Sequence, residues 1–80
     1  MATVYFSGSL SQYTGGLETV SIEASRVGEL LRALEQRFPD LTGHLESLAV
    51  AIDGVIYNDA TYQSIPPDSE IHLLPPVSGG

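Results

Sequence analysis

The chain contains no cysteine and no lysine. Without cysteine there is no disulfide framework, no thiol nucleophile and no Cys-ligated zinc. The only histidines, His44 and His72, are far apart in sequence, so a His-based metal site has little support. No metal and no bound cofactor is expected. No apolar run approaches the roughly 18 residues needed to span a bilayer. The first residues, Met-Ala-Thr-Val-Tyr-Phe-Ser, lack the basic start and long apolar stretch of a signal peptide. A reducing cytoplasm is the expected compartment. Positive charge is scarce: Arg26, Arg32 and Arg37 face ten acidic residues, for a formal net charge of -7. A nucleic-acid binder needs a cationic footprint, and an anionic membrane surface attracts polybasic segments. Neither partner is expected. An acidic surface of this kind suits partners with basic docking faces.

What is present fits one small domain of 80 residues. Thr3–Ser7 alternates as a strand, with Val4 and Phe6 on one face and Tyr5 and Ser7 on the other. Residues 8–16 are rich in Gly and Ser, and Gly15-Gly16 signals a turn. Leu17–Glu23 alternates again, with Val20 and Ile22 inward, so the first two strands read as an antiparallel hairpin with a long connection. Ser25 is the expected N-cap of a helix over residues 26–37. Its one-face stripe is Val27, Leu30, Leu31, Leu34 and Phe38, and Pro39 ends it. Gly28 within it suggests close approach to the sheet. Leu41 and Leu45 are expected to tuck under the core from the connector that follows. Leu48–Ile52 is a third strand and Asp53-Gly54 a hairpin turn. Val55–Tyr57 returns, a polar loop broken by Ile65 comes next, and Ile71–Leu74 is the last strand.

This order predicts an α+β domain over residues 1–74, with four to five strands in a mixed sheet and one main helix on one face. It fits the β-grasp, where a helix links the first hairpin to the remaining strands. Residues 75–80 (Pro75, Pro76, Val77, Ser78, Gly79, Gly80) are expected to form an extended, flexible C-terminal tail. The Pro-Pro pair stiffens it, and two glycines without Cβ can thread a narrow channel in another protein. The terminal Gly80 carboxylate is unreactive until its oxygen becomes a leaving group, as in an acyl-adenylate. No phosphate-binding loop with its Lys-Ser/Thr signature is present, so ATP is expected to be handled by a partner.

Leu73-Leu74-Pro75-Pro76-Val77-Ser78-Gly79-Gly80 resembles the terminus of the MoaD/ThiS family of ubiquitin-like sulfur carriers, most of all its molybdopterin-synthase small-subunit branch. Val27-Gly28-Glu29-Leu30-Leu31 followed by Phe38-Pro39 resembles that family's middle. Tyr13-Thr14-Gly15-Gly16 resembles carriers that serve cysteine or thioquinolobactin-type biosynthesis as much as the molybdopterin ones. The resemblance implies a cycle in which an E1-like enzyme adenylates Gly80 and a sulfur donor converts it to a thiocarboxylate. A partner synthase then accepts the sulfur, either a molybdopterin synthase large subunit or a cysteine synthase homologue. Pro75, Pro76, Val77, Ser78 and Gly79 would be the tail that partners recognise. The chain itself would be a carrier and not an enzyme.

Two function classes stay open from the residues. One is covalent, either a sulfur carrier or a ubiquitin-like modifier conjugated to lysines. The other is a noncovalent ubiquitin-like interaction module in which the tail is incidental. For either, strand alternation turns His72 and Leu74 away from the helix, where with Tyr5, Ala49 and Ala51 they would form a docking patch.

Overall fold

The computed structural model describes residues 1–45, 48–57 and 61–74. The tail residues Pro75 to Gly80 lie outside these. Five strands form one mixed sheet: β1 (Ala2–Tyr5), β2 (Thr19–Ile22), β3 (Ala49–Ile52), β4 (Val55–Tyr57) and β5 (Glu70–Leu74), in the order β2-β1-β5-β3-β4. β1 and β2 pair antiparallel, Val4 opposite Val20. β5 lies parallel to β1 and antiparallel to β3, so it is the central strand. Helix α2 (Val27–Arg37) crosses one face. This is the ubiquitin-like β-grasp expected from the order of elements.

Period-two alternation sorts each strand between two faces. Val4, Val20, Ile22, Val50, Ile52, Ile71 and Leu73 point toward α2 and are buried with Val27, Leu30 and Leu34. Leu41 and Leu45, from the connector, and Ile65, from the last loop, close the rim of this core. Leu31 and Phe38 only pack against its edge. Phe38 meets Phe6 edge-on, with ring centroids 5.9 Å apart. Asp53 and Gly54 both have positive φ (48° and 89°), the geometry of a tight hairpin turn with two left-handed central residues.

Four local expectations are corrected. Residues 8–16 are not all turn: Gly8–Ser11 forms a short helical turn, α1. It exists because Leu10, the one large apolar side chain in the stretch, is buried in the core. Thr14 then closes the loop by donating its hydroxyl to the Leu17 carbonyl at 2.8 Å. The second strand starts at Thr19, and Leu17 is left exposed.

Ser25 is not the N-cap. Arg26 holds that position with extended backbone, and the Ser25 hydroxyl donates to Glu29 Oε1 at 3.0 Å. The orphan donors at a helix start need acceptors, and here backbone carbonyls distant in sequence supply them. Val27 N–H donates to the Gln63 carbonyl at 3.0 Å and Gly28 N–H to the Thr61 carbonyl at 2.9 Å. Ile65 N–H returns a bond to the Ser25 carbonyl at 2.8 Å.

That arrangement also explains Gly28, whose close neighbour is this loop and not the sheet. A Cβ there would lie 3.0 Å from Thr61 Cγ2 and 3.1 Å from the Thr61 carbonyl oxygen. Alanine would ordinarily stabilise an interior helix position by about 1 kcal/mol over glycine. Here the carbonyl cannot retreat without losing its bond to the Gly28 N–H. Gly28→Ala is therefore expected to destabilise the fold by about 1 kcal/mol, an overpacking penalty. Urea denaturation reads this directly, and a gain in stability would show that the 61–65 segment yields freely.

Candidate docking surface

The face of the sheet turned away from α2 is set by the same alternation. Strand register places Tyr5 beside His72, His72 beside Ala51, and Ala51 beside Ile56, one row across four strands. The next row toward the C-terminus pairs Leu74 with Ala49. Tyr5 and His72 are brought into direct contact, their rings stacked at 4.5 Å between centroids and 6° from parallel. Ala49 and Ala51 are buried although they face away from the helix layer. Both are therefore covered, and the exposed apolar area on this side comes from their neighbours. Leu74 is half-buried and Ile56 about half exposed, at 51%.

The result is an apolar and aromatic patch at the base of the last strand. Patches of this kind on a small domain usually mark an interaction site. Its electrostatic setting is one-sided. Glu70 continues the His72 column on the same face, whereas Arg26, Arg32 and Arg37 all belong to the cap or body of α2 on the opposite layer. No arginine lies on the strands that build this face. A partner would meet an apolar centre with an anionic border, which favours a basic rim on its side.

The three residues predicted for docking, Tyr5, His72 and Leu74, thus share one surface. The predicted activation residue Gly80 and the recognition residues Pro75, Pro76, Val77, Ser78 and Gly79 lie outside the described residues. Ile56 was not foreseen. Its signal was available in the Asp53-Gly54 turn, which sets Ile56 opposite Ala51. The Tyr5–His72 stack needs the parallel β1–β5 register, which no local pattern reveals. His44 makes a different contact, stacking on Tyr13 at 4.2 Å. Among the described residues no three His, Cys, Asp or Glu side chains gather as a metal site, and no helix is long and apolar enough to cross a membrane.

The model of the ThiS family matches residues 4–80. No curated protein sequence matches the chain. Among solved structures, a chain of the BexX/CysO complex of Amycolatopsis orientalis is 20% identical over 100% of both chains, with a TM-score of 0.85. The small archaeal modifier protein 1 of Methanosarcina acetivorans is 21% identical, over 99% of this chain and 95% of that one, with a TM-score of 0.81. A chain from the complex of subunits 1 and 2 of the molybdopterin-converting factor of Helicobacter pylori is 28% identical, over 99% and 97%, with a TM-score of 0.66.

Proposed function

Because this chain belongs to the ThiS family of MoaD/ThiS ubiquitin-like sulfur carriers, we propose that it carries sulfur as a thiocarboxylate on Gly80. The observation that supports this most is the extent of the family match, which runs to residue 80 and so includes the Gly79-Gly80 terminus. The chemistry follows from what the chain has and lacks. A carboxylate resists nucleophiles, so Gly80 must first take an adenylyl group from ATP and release pyrophosphate. Sulfide then attacks the unhindered glycine carbonyl, and AMP leaves. With no cysteine in the chain, no side-chain thiol can hold the sulfur as a persulfide. ATP is bound by the E1-like adenylating enzyme, and this chain contributes only its tail and its docking face.

Tyr5, His72 and Leu74 are the docking residues in this reading. Leu74 lies closest to the root of the tail, so a partner gripping it holds the tail at a fixed distance from its own active site. Two of the similar structures are complexes, BexX/CysO and the two subunits of the molybdopterin-converting factor. They support a partner synthase that accepts the sulfur. A molybdopterin synthase large subunit is the first choice and a cysteine synthase homologue the second, in a reducing cytoplasm. The likeness to a small archaeal modifier protein favours one second reading, in which a lysine amine of another protein attacks the same activated Gly80.

The deciding experiment is intact mass spectrometry after incubation with ATP, the adenylating enzyme from the same source and sulfide. Exchange of one oxygen for sulfur should add about 16 Da, localised to Gly80. Mass gained elsewhere, or no ATP-dependent gain, would overturn the carrier reading. Conjugation would instead appear as the whole chain, less water, added to another protein.

A further inference from the structure

The outer face does not end at the Tyr5–His72 stack. Beside it opens a groove of about 400 Å³, walled by Tyr5 and His72 and continued by Thr19, Glu18 and Ser11. Its backbone is held in place: Phe6 N–H donates to the Glu18 carbonyl at 2.8 Å, and Tyr5 pairs with Thr19. The groove is at the small end of ligand-site volumes, about 300–1,000 Å³. A groove of that size has room for an inserted side chain.

We propose that this groove receives an arginine side chain from the protein that docks on the outer face. The inference rests on the docking reading above and names the chemistry of the partner at one point. Three properties of the groove select that side chain. Its wall includes stacked aromatic rings, which attract a cation lying on a ring face. Glu18 and two hydroxyl-bearing residues supply acceptors, while no lysine or arginine lines it. The chain as a whole carries a formal charge of -7, with its three arginines on the helix layer. A guanidinium is flat, so it can stack on Tyr5 while its fork of N–H groups reaches oxygen acceptors at the groove edge. An ammonium is compact and strongly hydrated and gains less from the same wall. The position fits the anatomy of interfaces, with apolar side chains at Leu74 and Ile56 and a charged contact on the border.

The test is an NMR titration of the whole 80-residue chain at constant ionic strength with three probes: the N-acetyl methylamides of arginine, lysine and leucine. The arginine probe should give saturable shifts at Tyr5, Thr19 and His72. The lysine probe should bind at least about threefold more weakly, and the leucine probe should leave these signals unmoved. Glu18→Gln, an exposed change outside the strands, should weaken the arginine probe by about threefold or more. Equal shifts with arginine and lysine, saturable binding of leucine, or a Glu18→Gln titration that overlays the wild type would each overturn the proposal. The titration contains neither ATP nor an adenylating enzyme, so its failure is separable from failure of the Gly80 chemistry.

Discussion

Deletion of Gly79 and Gly80 is expected to abolish thiocarboxylate formation while the thermal midpoint stays where it is. Every described core residue lies between Ala2 and Leu73, so the deletion removes none of them. The chemistry loses everything, because the new terminal carboxylate would belong to Ser78. Its Cβ and hydroxyl would crowd any partner channel narrow enough to select glycine, and the reacting carbon would sit two residues short, roughly 7 Å at full extension. Leu74→Ala should separate recognition from reaction. Leu74 lies half-buried on the outer face beside Ala49, and truncating an interface anchor typically costs more than about 1 kcal/mol of binding. That variant should bind the adenylating enzyme at least about fivefold more weakly and still form thiocarboxylate when the enzyme is saturating. Single-turnover assays on both variants, beside thermal melts, make the comparison. A truncated chain that still acquires sulfur would remove Gly80 from the mechanism. A Leu74→Ala chain that binds normally but melts much earlier would assign Leu74 to the core.

Leu34→Ala is expected to produce the largest loss of stability, about 2–5 kcal/mol, by removing a side chain with no room to be replaced. Leu34 is fully buried between α2 and the inner sheet face. Folded domains hold only about 5–15 kcal/mol of stability, so the thermal midpoint should fall by roughly 10 °C or more in a domain of this size. Leu31→Ala provides the control. From sequence, both leucines belong to the apolar stripe and Leu31 would be expected to cost as much. In the structure Leu31 is half-buried at the flank of the core, so its truncation should cost distinctly less. Equilibrium urea denaturation of the pair checks this. A larger loss at Leu31 than at Leu34 would mean that the helix presents a different face to the sheet.

The residues themselves determined the five strands and the main helix, and which side of each faces the core. Period-two alternation in Val4, Val20, Ile22, Val50, Ile52, Ile71 and Leu73, and the 3–4 spacing of Val27, Leu30 and Leu34, are local patterns readable in any short window. Asp53-Gly54 specified its turn by the backbone freedom of two residues. The Gly-Gly terminus and the absence of cysteine and lysine are likewise visible without a structure. Tertiary structure decided what depends on residues distant in sequence. The start of α2 is satisfied by carbonyls at Thr61 and Gln63 and not by Ser25, because a backbone acceptor delivered by a far segment leaves no trace in the local sequence. Gly28 is required by that same segment. The Gly8–Ser11 turn exists because one leucine finds the core, a contact that propensity does not foresee. The docking face depends most of all on long-range pairing. Tyr5 and His72 are 67 positions apart in the chain, and their rings meet only because β5 inserts parallel to β1 at the centre of the sheet.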